Sequence, residues 1–151
     1  MYHLLKAKKE FTFTDALGSA NYAVVPADLA QIYNLNPLFG AGISGQGQTI
    51  ALIEDTDVFS ASDWSTFRST FGLSGYTSAS FTQVHPASPS GPNNCGAPGT
   101  FAPNNAEAIL DAEWASASAP SAAIEMAACA DTNTTFGGLI AIQNQIGRAH
   151  V

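Results

Sequence analysis

Continuous apolar runs and amphipathic stretches alternate along most of the chain. Residues 49–53 and 122–129 are short, continuous and apolar, which is typical of strands buried on both faces of a sheet. Residues 81–85 alternate between apolar and polar side chains and predict another strand. Helical patterns separate and follow these runs. The order strand, helix, strand, helix predicts an α/β fold with a mostly parallel sheet and flanking helices.

Four helices are predicted, each starting at a proline or a capping residue and carrying apolar side chains on one face. The first has an apolar stripe formed by Leu29, Ile32 and Tyr33. The ranges are 26–34, 62–71 with Ser62-Asp63 as its cap, 104 or 105 to 117, and a last helix that starts with Thr134 or Thr135 as its cap. A long loop with five prolines, residues 86–103, precedes the third helix, and a loop of that length is either disordered or functional.

Three segments are expected along the chain. Residues 1–20 hold all three lysines and lack sustained periodicity, so they are interpreted as a linker or the tail of a preceding segment. Residues 21–145 are enough for one domain with its own core. Residues 146–151 read as the translated start of a widely used sequencing adapter and interrupt the last helix pattern. We therefore expect them to be foreign to the natural protein and the chain to be truncated there.

The composition argues against several classes of partner. Hydrophobic residues make up 46% of the chain, charged residues 11%, and the net charge is −7. Between Glu10 and Gly147 the single Lys or Arg is Arg68, so no basic patch exists for nucleic acid or an anionic membrane surface. No apolar run approaches the length of a transmembrane helix. A low content of bases suits a secreted protein that works in acid; no signal peptide is visible, so an export signal would lie upstream.

The two cysteines, Cys95 and Cys129, leave two interpretations open. They are too far apart for a short metal-ligand pair, and no other Cys or nearby His completes a zinc set, so no metal site is predicted. They either form a disulfide or remain two unrelated thiols. A disulfide would close a loop of about 35 residues, stabilise the fold by roughly 3–4 kcal/mol and indicate an oxidising compartment.

Three acids stand out by position. Glu107 and Asp111 are four residues apart on the predicted central helix, so both carboxylates project from one face. By spacing alone they form either a solvated acidic face or a working pair. Such a pair can act as a general base at low pH, where a histidine is almost fully protonated. Glu54 follows the first core strand, at the sheet edge where α/β proteins usually hold their sites.

Three blocks of sequence resemble the sedolisin family, the serine-carboxyl peptidases related in fold to subtilisin. The resemblance covers about residues 21–145, and its blocks are Val25-Pro-Ala-Asp-Leu29 with Ile32-Tyr-Asn34, Gly45-Gln-Gly-Gln-Thr-Ile-Ala51, and Glu107-Ala-Ile-Leu-Asp111. It implies a subtilisin-like fold and a secreted, acid-active endopeptidase that cleaves proteins or peptides and binds its own pro-segment. Glu107 would be the base for a serine, Asp111 its partner and Glu54 a supporting acid.

The chain also departs from the family pattern. The family's serine, in a Gly-Thr-Ser stretch, its oxyanion acid and its calcium loop all lie downstream of the matched blocks and are not in this sequence. Ser65, Ser69 and Ser116 occur in no such context. Residues 1–20 are expected to be the last stretch of a pro-segment with its junction. We therefore expect this chain to be inactive by itself and to need no cofactor, with calcium bound only by the downstream part.

Other residues and other functions remain open at this stage. Trp114 falls seven residues after Glu107, on about the same face, and either walls the site or packs in the core. Asp55 and Asp57 resemble the Asp-x-Asp of metal or nucleotide-sugar sites, a triplet that is common by chance. His85 is interpreted as a strand-end or loop residue.

A non-catalytic α/β binding module with surface acids is the alternative function. A glycosidase using Glu107 and Asp111 fits less well, because carboxyls one helical turn apart point the same way and cannot flank a sugar.

Overall fold

The computed structural model describes residues 11–101 and 104–148. Within these ranges the chain forms five strands and five helices, in the order β1 (Phe11–Thr14), β2 (Ala20–Ala23), α1 (Pro26–Ile32), α2 (Asn36–Gly40), β3 (Thr49–Glu54), α3 (Ala61–Thr70), β4 (Ser80–Val84), α4 (Asn104–Ser118), β5 (Ala123–Ala128) and α5 (Gly137–Arg148).

A parallel three-stranded sheet in the order β3-β5-β4 forms the centre of the fold. The last strand in sequence lies in the middle, so the carboxyl ends of all three strands share one edge. The predicted α/β class, with a parallel sheet flanked by helices, is confirmed. The expectation that β3 is buried on both faces is wrong, because Thr49 and Ala51, which lie on one face, are exposed. Among the described residues β3 also pairs with a strand on one side only, so it is an edge strand there. A continuous apolar run does not distinguish an edge strand from a central one.

Side chains of β5 form the core on both faces of the sheet. On one face Ile124 and Met126 pack with Ala108 and Ala112 of α4, and all four are fully buried. On the other face Ala127 packs with Ile140 and Ala141 of α5 and with the two cysteines. Alanine at both α4 contacts lets the axis of that helix approach the sheet closely, because no long side chain intervenes. The alanine-rich composition of α4 is thus explained by packing as well as by helix propensity.

The observed helix starts agree with the predicted ones to different degrees. The start of α4 at Asn104, one of the two predicted positions, is confirmed. Helix α3 begins at Ala61, and its N-cap is Ser60, two residues before the predicted cap Ser62; Ser60 Oγ accepts from the backbone N–H of Ser62 at 3.3 Å. The predicted start of α5 at Thr134 or Thr135 is wrong. Both threonines belong to a turn, and the helix begins at Gly137, whose N–H donates to Asp131 Oδ1 at 2.6 Å.

The apolar stripe predicted on α1 does not face the core. Ile32 and Tyr33 are exposed, while the side chain of Asp28 is buried and accepts a hydrogen bond from the backbone N–H of Val25 at 3.1 Å. The carboxylate satisfies an N–H at the helix start that has no partner within the helix. The helix therefore turns Asp28 and Ala30 inward. The Asp28 carboxylate can be buried there because it accepts the hydrogen bond from the Val25 N–H.

Regular structure extends into both end segments of the chain that the structure describes. Within the stretch expected to be a linker, Phe11–Thr14 pairs antiparallel with Ala20–Ala23, and the Asp15 carboxylate closes the turn by accepting from the N–H groups of Leu17 and Ser19 at 2.9 Å. Residues 1–10 lie outside the described ranges. At the other end the backbone of α5 continues to Arg148, so no break appears at residue 146. The origin of residues 146–151 and the pro-segment assignment stay predictions.

Arg68 has a structural role that the sequence did not suggest. The side chain is 5% exposed and links three segments of the fold. It donates to Ser116 Oγ at 2.6 Å and to the backbone oxygens of Leu73 at 2.9 Å and Tyr76 at 3.0 Å. Its guanidinium also lies 4.8 Å from the ring centroid of Trp64, a cation–π distance. One buried cation thereby joins α3, the turn after it and α4.

Replacing Arg68 with Ala should destabilise the fold by about 3–5 kcal/mol, because two buried carbonyls and a hydroxyl lose their donor. Urea unfolding followed by circular dichroism measures the change as a lower midpoint. Ser69→Ala, at the adjacent exposed position, is the control and should stay within about 0.5 kcal/mol of the parent. An Arg68→Ala midpoint equal to the control would contradict the bridging role.

Candidate functional site

A disulfide fastens the long proline-rich loop to the carboxyl end of β5. Of the two interpretations of the cysteines, the structure contains the disulfide: Cys95 is bonded to Cys129, with a Cα–Cα distance of 5.0 Å. The next residue strengthens the attachment, since the N–H of Ala130 donates to the carbonyl of Gly96 at 2.8 Å. The first half of the loop is therefore held against the central strand.

The same loop is also attached beyond the end of β3. Thr56 is completely buried, and its hydroxyl donates to the carbonyl of Gly99 at 3.2 Å and accepts from the N–H of Phe101 at 3.0 Å. The N–H of Asp57 donates to the same Gly99 carbonyl at 2.9 Å. Residues 86–101 thus run across the carboxyl edge of the sheet and lead to the start of α4, which carries two of the candidate acids.

Glu54 is the buried member of the acid group. It is the last residue of β3 and is 9% exposed. Burial, followed by the negative charges of Asp111, Glu107 and Asp55, raises the pKa of Glu54 to about 7. Hydrogen bonding of protonated Glu54 to the Asp111 side chain is the smallest contribution to the same rise in pKa. Below about pH 7 the Glu54 carboxyl group therefore keeps its proton.

Glu107 and Asp111 lie on the exposed face of α4, as their four-residue spacing predicts. The following residues, Ala108 and Ala112, are both fully buried against the sheet. This rotation of the helix leaves both carboxylates open to solvent beside the carboxyl end of β3. The structure therefore brings the three predicted acids together in one electrostatic group, while their catalytic roles stay a prediction.

Asp55 and Asp57 diverge to different partners and do not form a joint site. Asn104, the first residue of α4, places its amide nitrogen 3.5 Å from both oxygens of Asp55. Asp57 Oδ1 is 2.8 Å from Nε2 of His85. Across residues 11–101 and 104–148 no group of three His, Cys, Asp or Glu side chains is arranged to hold a metal ion. No helix in the same ranges is long and apolar enough to cross a membrane.

The hydrogen bond between His85 and Asp57 is the feature of this edge that the sequence did not predict. His85 follows β4 and Asp57 lies just beyond β3, so the pair reaches across the end of β5. Its signal was present in the sequence, since both residues follow predicted strands whose carboxyl ends meet at one edge. The order of the strands was needed to show that the two could approach each other.

Trp114 packs between helices. Its half-buried ring lies 6.2 Å, centroid to centroid, from the ring of Phe67 on α3. Phe67 in turn has an edge contact with Phe71, at 5.0 Å. These contacts support the packing interpretation of Trp114, because its ring takes part in the contact between α3 and α4.

Comparison of the chain with known protein families, with curated proteins and with solved structures finds no match. The sedolisin resemblance therefore stays a prediction from the three sequence blocks.

The raised pKa of Glu54 predicts a stability that falls as the pH rises. The folded chain binds more protons than the unfolded chain between about pH 4.5 and pH 7, so the contribution of Glu54 is complete below that window and lost above it. The loss is on the order of 3 kcal/mol. Burial also raises the pKa of Glu113, which acts with the same sign.

Urea unfolding at about pH 5 and about pH 8 tests this expectation. Glu54→Gln should flatten most of the pH dependence, because the amide neither binds nor releases a proton in this pH range. Glu125→Gln, the same substitution on the central strand, should retain the parent slope. A parent slope that persists in Glu54→Gln would show that Glu54 is not its source.

Proposed function

We propose that this chain carries the acidic part of the active site of a serine-carboxyl peptidase of the sedolisin type, on a subtilisin-like fold. Glu107 is the general base, Asp111 its partner and Glu54 the supporting acid. The observation that carries the proposal is the burial of the Glu54 carboxyl group at the end of β3, where the negative charges of Asp111 and Glu107 act on it. A purely solvated acidic face would not require a third carboxyl buried beneath it.

The proposed chemistry uses one proton moving between a serine and Glu107. Ionised Glu107 accepts the hydroxyl proton as the serine oxygen attacks the peptide carbonyl, and later returns it to the departing amine. Protonated Glu54 donates to Asp111 and so orients that carboxylate beside Glu107. Each step suits a low pH, because the base is a carboxylate and the supporting acid keeps its proton.

No serine of the chain that the sequence singled out is placed to be the nucleophile. Ser65 and Ser69 donate to carbonyls of their own helix, at 2.8 and 2.9 Å. Ser116 is completely buried and accepts from Arg68. The proposal therefore assigns the nucleophile to a Gly-Thr-Ser segment outside these residues, together with the calcium loop.

The surroundings of the acids support the remaining parts of the proposal. The exposed face of Glu107 and Asp111 is open to a protein or peptide substrate and to a pro-segment. The disulfide between Cys95 and Cys129 suits a secreted protein, because structural disulfides persist in oxidising compartments. The free side of β3 can accept further strands of a subtilisin-like sheet, since its outer backbone groups have no strand partner among the described residues.

A second candidate function is a non-catalytic binding module. The exposure of both Glu107 and Asp111 favours it, because surface acids would have this arrangement without any catalytic role. The two candidates differ in whether a Gly-Thr-Ser segment follows in the gene. A longer gene product without that segment would favour the binding module.

In a longer gene product that contains this chain and the Gly-Thr-Ser segment, Glu107→Gln should lower kcat for peptide cleavage at acidic pH by about 10²–10⁴-fold, and Glu107→Ala should abolish cleavage. A quenched fluorescent peptide library measures the rate. Glu113→Gln, on the same helix but under the charge of Asp63 of α3, is the matched control and should retain activity. Undiminished cleavage by Glu107→Ala would rule out the base assignment.

The chain by itself should cleave nothing in the same assay, since it lacks the nucleophile. Cleavage by the purified chain that survives Glu107→Ala would point to a contaminant, whereas cleavage abolished by that substitution would place the nucleophile among its own serines.

A further inference from the structure

The loop between β5 and α5 contains a sequence that can accept an N-linked glycan. Asn133-Thr134-Thr135 has the Asn-x-Thr pattern that oligosaccharide transfer requires. Of the nine asparagines in the chain, Asn133 alone has a Ser or Thr two positions later. The triplet lies in the irregular segment between Ala128, the end of β5, and Gly137, the start of α5.

The turn around Asn133 is held together by its neighbours. The N–H groups of Thr134 and Thr135 donate to Thr132 Oγ1 at 3.3 and 2.9 Å, and the N–H of Thr132 donates to the carbonyl of Thr135 at 2.9 Å. Asn133 is exposed, and among residues 11–101 and 104–148 its side-chain amide makes no hydrogen bond. A glycan on that nitrogen would break no interaction of the folded chain.

The disulfide is compatible with the compartment where such transfer occurs. Cys129 lies four residues before Asn133 and is bonded to Cys95, and structural disulfides form in the same oxidising secretory compartment of eukaryotic cells. A second, weaker triplet, Asn93-Asn94-Cys95, provides a contrast. Its cysteine is consumed in the disulfide, and Asn93 Oδ1 accepts a hydrogen bond from the N–H of Cys95 at 3.0 Å.

We propose that Asn133 is an N-glycosylation site of this protein, used when the chain passes through a eukaryotic secretory pathway. The co-reactant is a lipid-linked oligosaccharide diphosphate. Asn133 Nδ2 bonds to C1 of the first sugar, the bond from C1 to the phosphate oxygen breaks, the amide loses one proton, and the lipid diphosphate leaves. The glycan projects from the loop after β5, at the same edge of the sheet as Glu54. This inference does not depend on the peptidase proposal.

The test uses the whole chain behind a signal peptide, translated with endoplasmic reticulum microsomes. The protease-protected product should migrate more slowly than the untranslocated chain, and peptide N-glycosidase should remove the difference. Asn133→Gln and Thr135→Ala should each abolish the shift. Thr135→Ser should retain it, since serine also satisfies the acceptor pattern, and Asn93→Gln should leave it unchanged.

Protease protection reports translocation separately from glycosylation, so the outcome does not depend on yield. A protected chain without a shift would overturn the proposal, as would a shift that persists in Asn133→Gln. A shift lost in Asn93→Gln would assign the glycan to the other triplet and also overturn it. After glycosidase treatment of the shifted product, mass spectrometry should find aspartate in place of asparagine at position 133.

Discussion

Close packing of α4 on the central strand is the constraint on which the candidate site depends. Ala108 and Ala112 are fully buried against Ile124 and Met126, so the helix lies near the sheet along this face. That contact also sets the rotation of the helix. Because the buried alanines directly follow Glu107 and Asp111, the two carboxylates emerge next to the carboxyl end of β3, where Glu54 ends the strand. A larger side chain at either alanine would move the acids away from Glu54.

Among the described residues, no lysine or arginine forms an ion pair with this group of acids. Arg68 is the single Lys or Arg between Glu10 and Gly147, and its guanidinium is already engaged with Ser116 and two carbonyls. The Glu54 carboxyl group avoids repulsion from the neighbouring carboxylates by keeping its proton, and this raises its pKa to about 7. In an acidic medium this arrangement costs little free energy of folding, because Glu54 is then uncharged. The shortage of basic residues and the proton kept by Glu54 are thus linked, because no nearby cation of the described ranges neutralises the acids.

The loop that crosses the sheet edge connects this chemistry to the rest of the fold. The disulfide anchors it at β5, Thr56 anchors it beyond β3, and it then enters α4. Fixing the loop at two strands limits the directions from which the first turn of α4 can start. The same edge carries the pair of His85 with Asp57 and the turn that presents Asn133. Most of the chemically interesting side chains therefore lie where the parallel strands end.

The sequence by itself determined the features that arise within one element. The apolar run of β5, the start of α4 at an asparagine and the common face of Glu107 and Asp111 depend on local periodicity and capping, and all three agree with the structure. Glu54 at a strand end was likewise evident. None of these features depends on residues that are distant in the sequence.

Tertiary structure alone decided the features that depend on which elements become neighbours. The edge position of β3, the burial of Arg68 and the approach of His85 to Asp57 follow from the strand order and helix packing, and no local pattern encodes them. The start of α5 at Gly137 also depends on tertiary structure, because the preceding threonines form a turn instead of capping the helix. The state of Glu54 is the clearest example: its position was visible in the sequence, but its proton depends on burial and on charges brought from another element.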